Sequence, residues 1–152
     1  MIDNYPQAAD EINAVAYQAI KTGAAAIVGY VPDVRFANIE KPGTPDGSKF
    51  WLRVSMQTVD EAQTTLANQV TGPDKKRFTA NGLIFVQIFC PKSVSNSDQL
   101  GKQLAELVKN AYRGKSTSGC VWFSHTRIQE KPPEAQFWNY NVVSEFEYDT
   151  IG

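Results

Sequence analysis

Few residues in this chain of 152 are of a type and spacing that could do covalent chemistry. The single histidine, His125, stands between Ser124 and Thr126, the residue types of a general base beside a hydroxyl nucleophile. Strand alternation sends those two hydroxyls to the face opposite His125, so the expectation is a sheet-surface histidine without a catalytic role. The acidic pairs are Asp60-Glu61 and Glu145/Glu147. Glu145 and Glu147 share a sheet face, whereas a glycosidase pair flanks a cleft. A solvated face or an intersubunit salt bridge accounts for them more simply. Lys75-Lys76-Arg77 is the one compact basic run, and three residues make a weak nucleic-acid contact. The segment from Gly23 to Gly29 has the wrong spacing for a phosphate loop, and no G-x-S-x-G elbow occurs. Cys90 and Cys120 form no C-x-x-C pair, and His125 alone cannot complete a zinc site with them. Both fall in expected strands and read as buried free thiols in a reducing cytoplasm. The chain is therefore read as a non-enzyme, with no catalytic, cofactor-binding or metal-binding residue assigned.

The elements that would position these residues follow from periodicity. Ile12, Val15, Ala16, Ala19 and Ile20 form one apolar stripe, predicting a helix over residues 6–22 that stops at Gly23. Residues 24–31 fit either a short extension or a buried strand. Residues 34–40 are a short candidate strand, and the Pro- and Gly-rich residues 41–48 a loop. Residues 50–57 alternate Phe, Leu, Val and Met with Trp, Arg, Ser and Gln, which is a strand with one buried side. Residues 59–76 show little periodicity and read as a long loop of the functional kind. Residues 77–90 contain the run Gly82-Leu83-Ile84-Phe85-Val86-Gln87-Ile88-Phe89-Cys90-Pro91, the centre of a sheet with a kink at Asn81-Gly82. Leu100, Leu104, Leu107, Val108, Ala111 and Tyr112 stripe a second helix, with Asn96 and Gln99 resembling a capping box and Gly114 a stop. Residues 120–129 and 137–148 form a final hairpin turning at residues 130–134. In its second strand Trp138, Tyr140, Val142, Phe146 and Tyr148 face one way, and Asn139, Asn141, Glu145 and Glu147 the other. The expected fold is α+β: a two-layer sandwich in which two helices cover one face of a mostly antiparallel sheet of four to five strands.

Residues 1–152 are expected to make one domain, with 42% hydrophobic residues to build its core. A formal net charge of -1 does not suggest a free-standing nucleic-acid binder and leaves little repulsion against self-association. The N-terminus has no signal-like region and no segment has the length of a membrane helix, so a soluble protein without membrane contact is expected. Trp51 and Arg53 sit on the polar side of their strand. Trp51 lies either under a loop or at an interface, where Trp and Arg are enriched.

The order and flavour of these segments resemble the tail terminator (tail completion) proteins of long-tailed bacteriophages. The resemblance runs over about residues 8–149. It is carried by the N-terminal helix, Phe50-Trp51-Leu52-Arg53-Val54, a polar segment with Gln63, residues 77–91, the second helix with Gly114, Arg127-Ile128-Gln129-Glu130 and the strand from Trp138 to Tyr148. It implies a structural virion protein, assembled in the host cytoplasm and placed at the tail–neck junction. Such proteins form a ring, generally six-fold, that caps the head-proximal end of the tail tube and ends its polymerisation. Implied partners are further copies of the chain, the tail tube protein, the neck or head-completion protein, and double-stranded DNA that passes through the lumen without specific binding. The resemblance implies no cofactor. On this reading the segments 41–48 and 59–76 order against neighbours, Trp51 and Arg53 are interface candidates, and Lys75, Lys76 and Arg77 face the lumen or a ring seam. The alternatives are another neck or tail-tube subunit, or a small-molecule-binding α+β regulatory module.

Overall fold

The computed structural model describes residues 2–37, 43–63 and 76–151. Helix α1 spans Tyr5–Gly23. The Asn4 side chain accepts a hydrogen bond from the Gln7 N–H at 2.9 Å, and Pro6 occupies the first turn, where its missing N–H costs nothing. Ala8, Ile12, Ala16 and Ile20 are the buried stripe. The chain then continues into a single turn, α2 (Ala25–Val28), and Gly29 ends the helical run with φ of 88°. Residues 25–28 are therefore the short helical extension rather than a strand.

Five strands follow: β1 (Asp33–Phe36), β2 (Trp51–Gln63), β3 (Arg77–Pro91), β4 (Trp122–Glu134) and β5 (Phe137–Ile151), with α3 (Ser97–Tyr112) between β3 and β4. Their spatial order is β1-β2-β3-β5-β4. Only the β1–β2 pairing is parallel. The run beginning at Gly82 lies in the middle strand, as its apolar composition required. Strand β3 pairs with β5 from Arg77↔Ile151 to Pro91↔Phe137. Helix α3 carries the chain from β3 to a parallel β4, and β5 is inserted between them.

Several expectations need correction. Residues 59–63 are not loop: they continue β2, with Glu61, Ala62 and Gln63 opposite Ala80, Thr79 and Phe78. Residues 64–75 lie outside the described residues, as do 38–40 of the expected first strand and Lys41 and Pro42 of the loop after it. Residues 130–134 are not the hairpin turn; they belong to β4, and the chain turns at Ala135-Gln136, with Ala135 at φ 48°. Pro132 and Pro133 are tolerated because β4 is an edge strand whose outer N–H groups have no ladder partner to lose. Asn96 takes the cap position of α3 in a left-handed conformation with no side-chain cap bond, so the capping box does not form. Cys120 is exposed, in the turn before β4, with φ of 68°; only Cys90 is a buried thiol, and burial pushes its pKa up to about 12.

Both helices lie over one face of the sheet. There Ile12, Ala16 and Ile20 meet Leu104, Ala105, Val108 and Tyr112, above Leu52, Val54, Ile84, Val86, Ile88, Val142 and Phe146. Tyr112 is fully buried and stays satisfied by donating its hydroxyl to the Ile12 carbonyl oxygen at 2.8 Å. Small residues set the closest approach: a Cβ at Gly101 would run into Cys90 Sγ. The 115–121 turn is tied to α1 by Glu11, whose carboxylate accepts from the Gly119 N–H at 2.8 Å and the Gln7 side chain at 3.0 Å.

The expected kink at Asn81-Gly82 has its irregularity in the partner strand. Thr58 pairs with Gly82 and Asp60 with Asn81, leaving Val59 as the extra residue of a β-bulge. A side chain at Gly82 would strike the Gln57 carbonyl oxygen and come within 2.6 Å of Phe146 Cζ. Gly82→Ala should therefore cost about 2–3 kcal/mol by overpacking. Gly114→Ala, at φ 62° in open space, should cost about 1 kcal/mol. Urea midpoints at unchanged m-value test the order of the two; a milder Gly82→Ala contradicts the close-packing account.

Glu11 supplies a pH test. Partial burial works against its ionised form, but hydrogen bonds from Thr117, the Gly119 N–H and Gln7 outweigh it and hold the pKa below the ordinary 4.5. Its folded pKa being depressed, its contribution is present above pH 4.5 and is lost as pH falls from there through the lowered value. Glu11→Gln should flatten that acid limb of the stability curve relative to wild type. Superimposable acid limbs would show that the carboxylate is not the linking group.

Candidate interface on the open sheet face

Period-two alternation sends one set of strand residues under the helices and the other to the opposite face. No helix among the described residues lies over that opposite face. The register arranges it in transverse rows. One row runs Asp33, Trp51, Phe89, Asn139, Lys131. The next runs Arg35, Arg53, Gln87, Asn141, Gln129. Beyond them come Ser55, Phe85, Val143, Arg127, and then Gln57, Leu83, Glu145, Ser124.

An aromatic slab holds one end. Trp51 and Phe89 stack at 4.1 Å between ring centroids and 7° between planes, and Phe137 meets both edge-on at 6.3 and 6.0 Å. Arg53 lies across the slab with its guanidinium 5.3 Å from the Phe89 centroid, and donates Nε–H and Nη2–H to Gln87 Oε1 at 2.8 and 2.6 Å. Gln87, the one polar residue of the central apolar run, is thus the anchor that aims Arg53. Phe89 is only 2% exposed, with no second layer above it among the described residues.

Trp51 and Arg53, singled out from the sequence, do come together here. Trp51 packs on Phe89 rather than under a loop among the described residues. Lys76 and Arg77 do not join them. Arg77 sits ten residues before Gln87 on β3, about 33 Å along the strand, and is ion-paired to Asp149 at 2.5 Å. Lys75 lies outside the described residues. Two residues assigned from the sequence to this polar face, Asn139 and Asn141, are each 4% exposed, and among the described residues their Oδ1 atoms have no hydrogen-bond partner; nor does Trp51 Nε1. Phe89 and Phe137 were missed as well. The signal available was the odd-numbered set Leu83, Phe85, Gln87 and Phe89, a second apolar face on the central strand.

His125 is not the alternating strand residue expected. The β4 register shifts between Ser124 and Arg127, and His125 takes φ of 51° at this bulge. Its Nδ1 lies 2.8 Å from Glu145 Oε2, while Thr126 shares a hydrogen bond with Ser144 at 2.7 Å. Among the described residues no group of three or more His, Cys, Asp and Glu side chains is placed to hold a metal ion, and no helix is long and apolar enough to cross a membrane. A cleft of about 510 Å³ lies between the end of α1, the start of β1 with the residues leading into it, and the start of β2, lined by Tyr17, Tyr30, Asp33 and Lys49 among others.

No family model and no curated protein sequence matches the chain. Solved structures do. One whose printed name states no function shares 18% identity, covering 92% of this chain and 93% of its own, with a TM-score of 0.51. A chain described as "Virion of native gene transfer agent (GTA) particle" shares 21% identity, covering 93% and 96%, with a TM-score of 0.48. At these identities the first likeness is one of fold alone, and the second is too distant to carry an argument.

Arg53→Ala should cost about 1–2 kcal/mol, because it leaves Gln87 Oε1 without its donors and uncovers Phe89. Arg53→Met with Gln87→Leu should recover much of that loss, since both partners are then removed together. Chemical denaturation of wild type, Arg53→Met, Gln87→Leu and the double variant reads the coupling. Additive losses would mean that the pair does not act as one unit.

Proposed function

We propose that this chain is a structural virion protein of the tail-terminator kind, a subunit of a ring that caps the head-proximal end of a phage tail tube and offers a joining surface to the neck. The observation that carries the reading is the sheet face that no helix covers among the described residues, where a Trp–Phe–Phe slab, an Arg across it and buried polar atoms without a partner among those residues have the composition of an interface core. The resemblance of residues 8–149 to tail terminators supplies the kind of assembly, and the α+β architecture is compatible with it. A ring requires two different patches that meet head to tail. The net charge of -1 suits a conduit that lets DNA pass without holding it.

Electron microscopy of the purified protein, alone and mixed with tail tubes, tests the proposal. Closed rings alone and rings seated at one end of each tube are expected. Long tubes made by the protein itself would overturn the terminator reading in favour of a tail-tube subunit.

A further inference from the structure

The open face is polarised along its strands. At the slab end Arg53 lies over Phe89, Lys131 stands at the β4 end of the Trp51–Phe89 row with the Asp33–Arg35 ion pair on its β1 side, and Arg127 follows two rows further along β4, opposite Val143. At the far end Glu145 and Glu147 line a hollow of about 520 Å³ at the β2 bulge, together with Val59, Asn81, Leu83 and Ser124 and with His125 paired to Glu145, and Asp60 follows next along β2, opposite Asn81. The near-zero net charge thus conceals two patches of opposite sign on one surface. The slab end also holds three buried polar atoms that need partners: Trp51 Nε1 needs an acceptor, and Asn139 and Asn141 Oδ1 need donors. The β4 edge cannot readily extend the sheet into a neighbour, because Pro132, Pro133 and the bulge at His125 interrupt its outer hydrogen-bonding row.

We propose that the occupant of this face is a second copy of the chain, bound head to tail, with the slab end of one copy against the acidic hollow of the next. Charge complementarity selects this occupant, since every copy carries both the basic and the acidic patch. With only one end of each face engaged the contact is heterologous: the first copy keeps its acidic hollow free and the second its slab end, so further copies add until a ring closes. The inference rests on the ring reading above and locates its subunit contact.

Charge exchange on exposed residues provides the test. Arg127→Glu with Lys131→Glu reverses the basic patch, and Asp60→Lys with Glu147→Lys reverses the acidic one; all four side chains are exposed, and circular dichroism and melting check that each variant folds. Wild type should assemble, and do so less readily as salt rises. Each variant alone should need about tenfold more protein to assemble, or fail to. An equimolar mixture should restore assembly, because opposite patches again meet at every contact. If wild type forms rings and the variants do so equally well, or if the mixture is not restored, this contact is wrong while the ring reading stands. If wild type neither assembles nor caps tubes, both fall.

Discussion

Full-length pairing of β3 on both sides is the constraint that the other elements obey. From Arg77 to Pro91 its backbone is committed to β5, and from Phe78 to Phe89 to β2. A central strand so paired cannot slip by one residue without exchanging its two faces. Ile84, Val86, Ile88 and Cys90 must stay under the helices, and Leu83, Phe85, Gln87 and Phe89 must stay on the open side. Gly82 then does two jobs. It lets the bulged β2 backbone pass close by, and it makes room for Phe146 from β5. The bulge at Val59 re-aims β2 where the acidic end of the open face begins.

Core and candidate interface are consequently two readings of one register. Gln87 shows this most directly. Inside a strand of apolar residues it marks the side that is not core, and its amide oxygen holds Arg53 over Phe89. The slab is left half-covered by its own cation. A single copy therefore presents less bare aromatic surface than the residue types suggest, which limits indiscriminate association while the groups that could recognise a partner stay in place.

Much of this fold was legible in the sequence, and what was not has local physical causes. Helices α1 and α3 were legible because their stripes repeat over three or more turns, and β3 because the eight residues between Gly82 and Pro91, apolar but for Gln87, admit no other setting. The end of β2 was not. Asp60-Glu61-Ala62-Gln63 has the composition of a loop, and it is strand only because β3 supplies hydrogen-bond partners that a local reading cannot see. Residues 130–134 misled for the converse reason: two prolines signal a turn unless the strand is an edge, and edge status is a tertiary fact. Of the candidate site, Trp51 and Arg53 could be picked by residue type and alternation. Asn139 and Asn141 could not, because polar residues at alternate positions look like a wet face whether or not neighbouring side chains enclose them. Of the basic run at 75–77, Arg77 is engaged by Asp149 within the same sheet, a pairing across 72 residues that composition does not reveal, and Lys75 lies outside the described residues.

The same segregation explains how a chain of net charge -1 can associate selectively. Placing Arg53 and Lys131 toward one end of the open face, Arg127 between, and Asp60, Glu145 and Glu147 toward the other gives that face a direction. Apolar burial has no such direction: the slab alone would accept a partner in many orientations, including two slabs face to face. That symmetric pairing would close as a dimer and end growth. It would also bring the cations of two copies near one another, with a cost that rises as water is excluded. The slab thus supplies area, the charges choose orientation, and the unpaired Trp51 and Asn groups penalise any contact that covers them without hydrogen-bonding them. A ring-forming subunit needs all three conditions at once, and β3 holds all three on one surface.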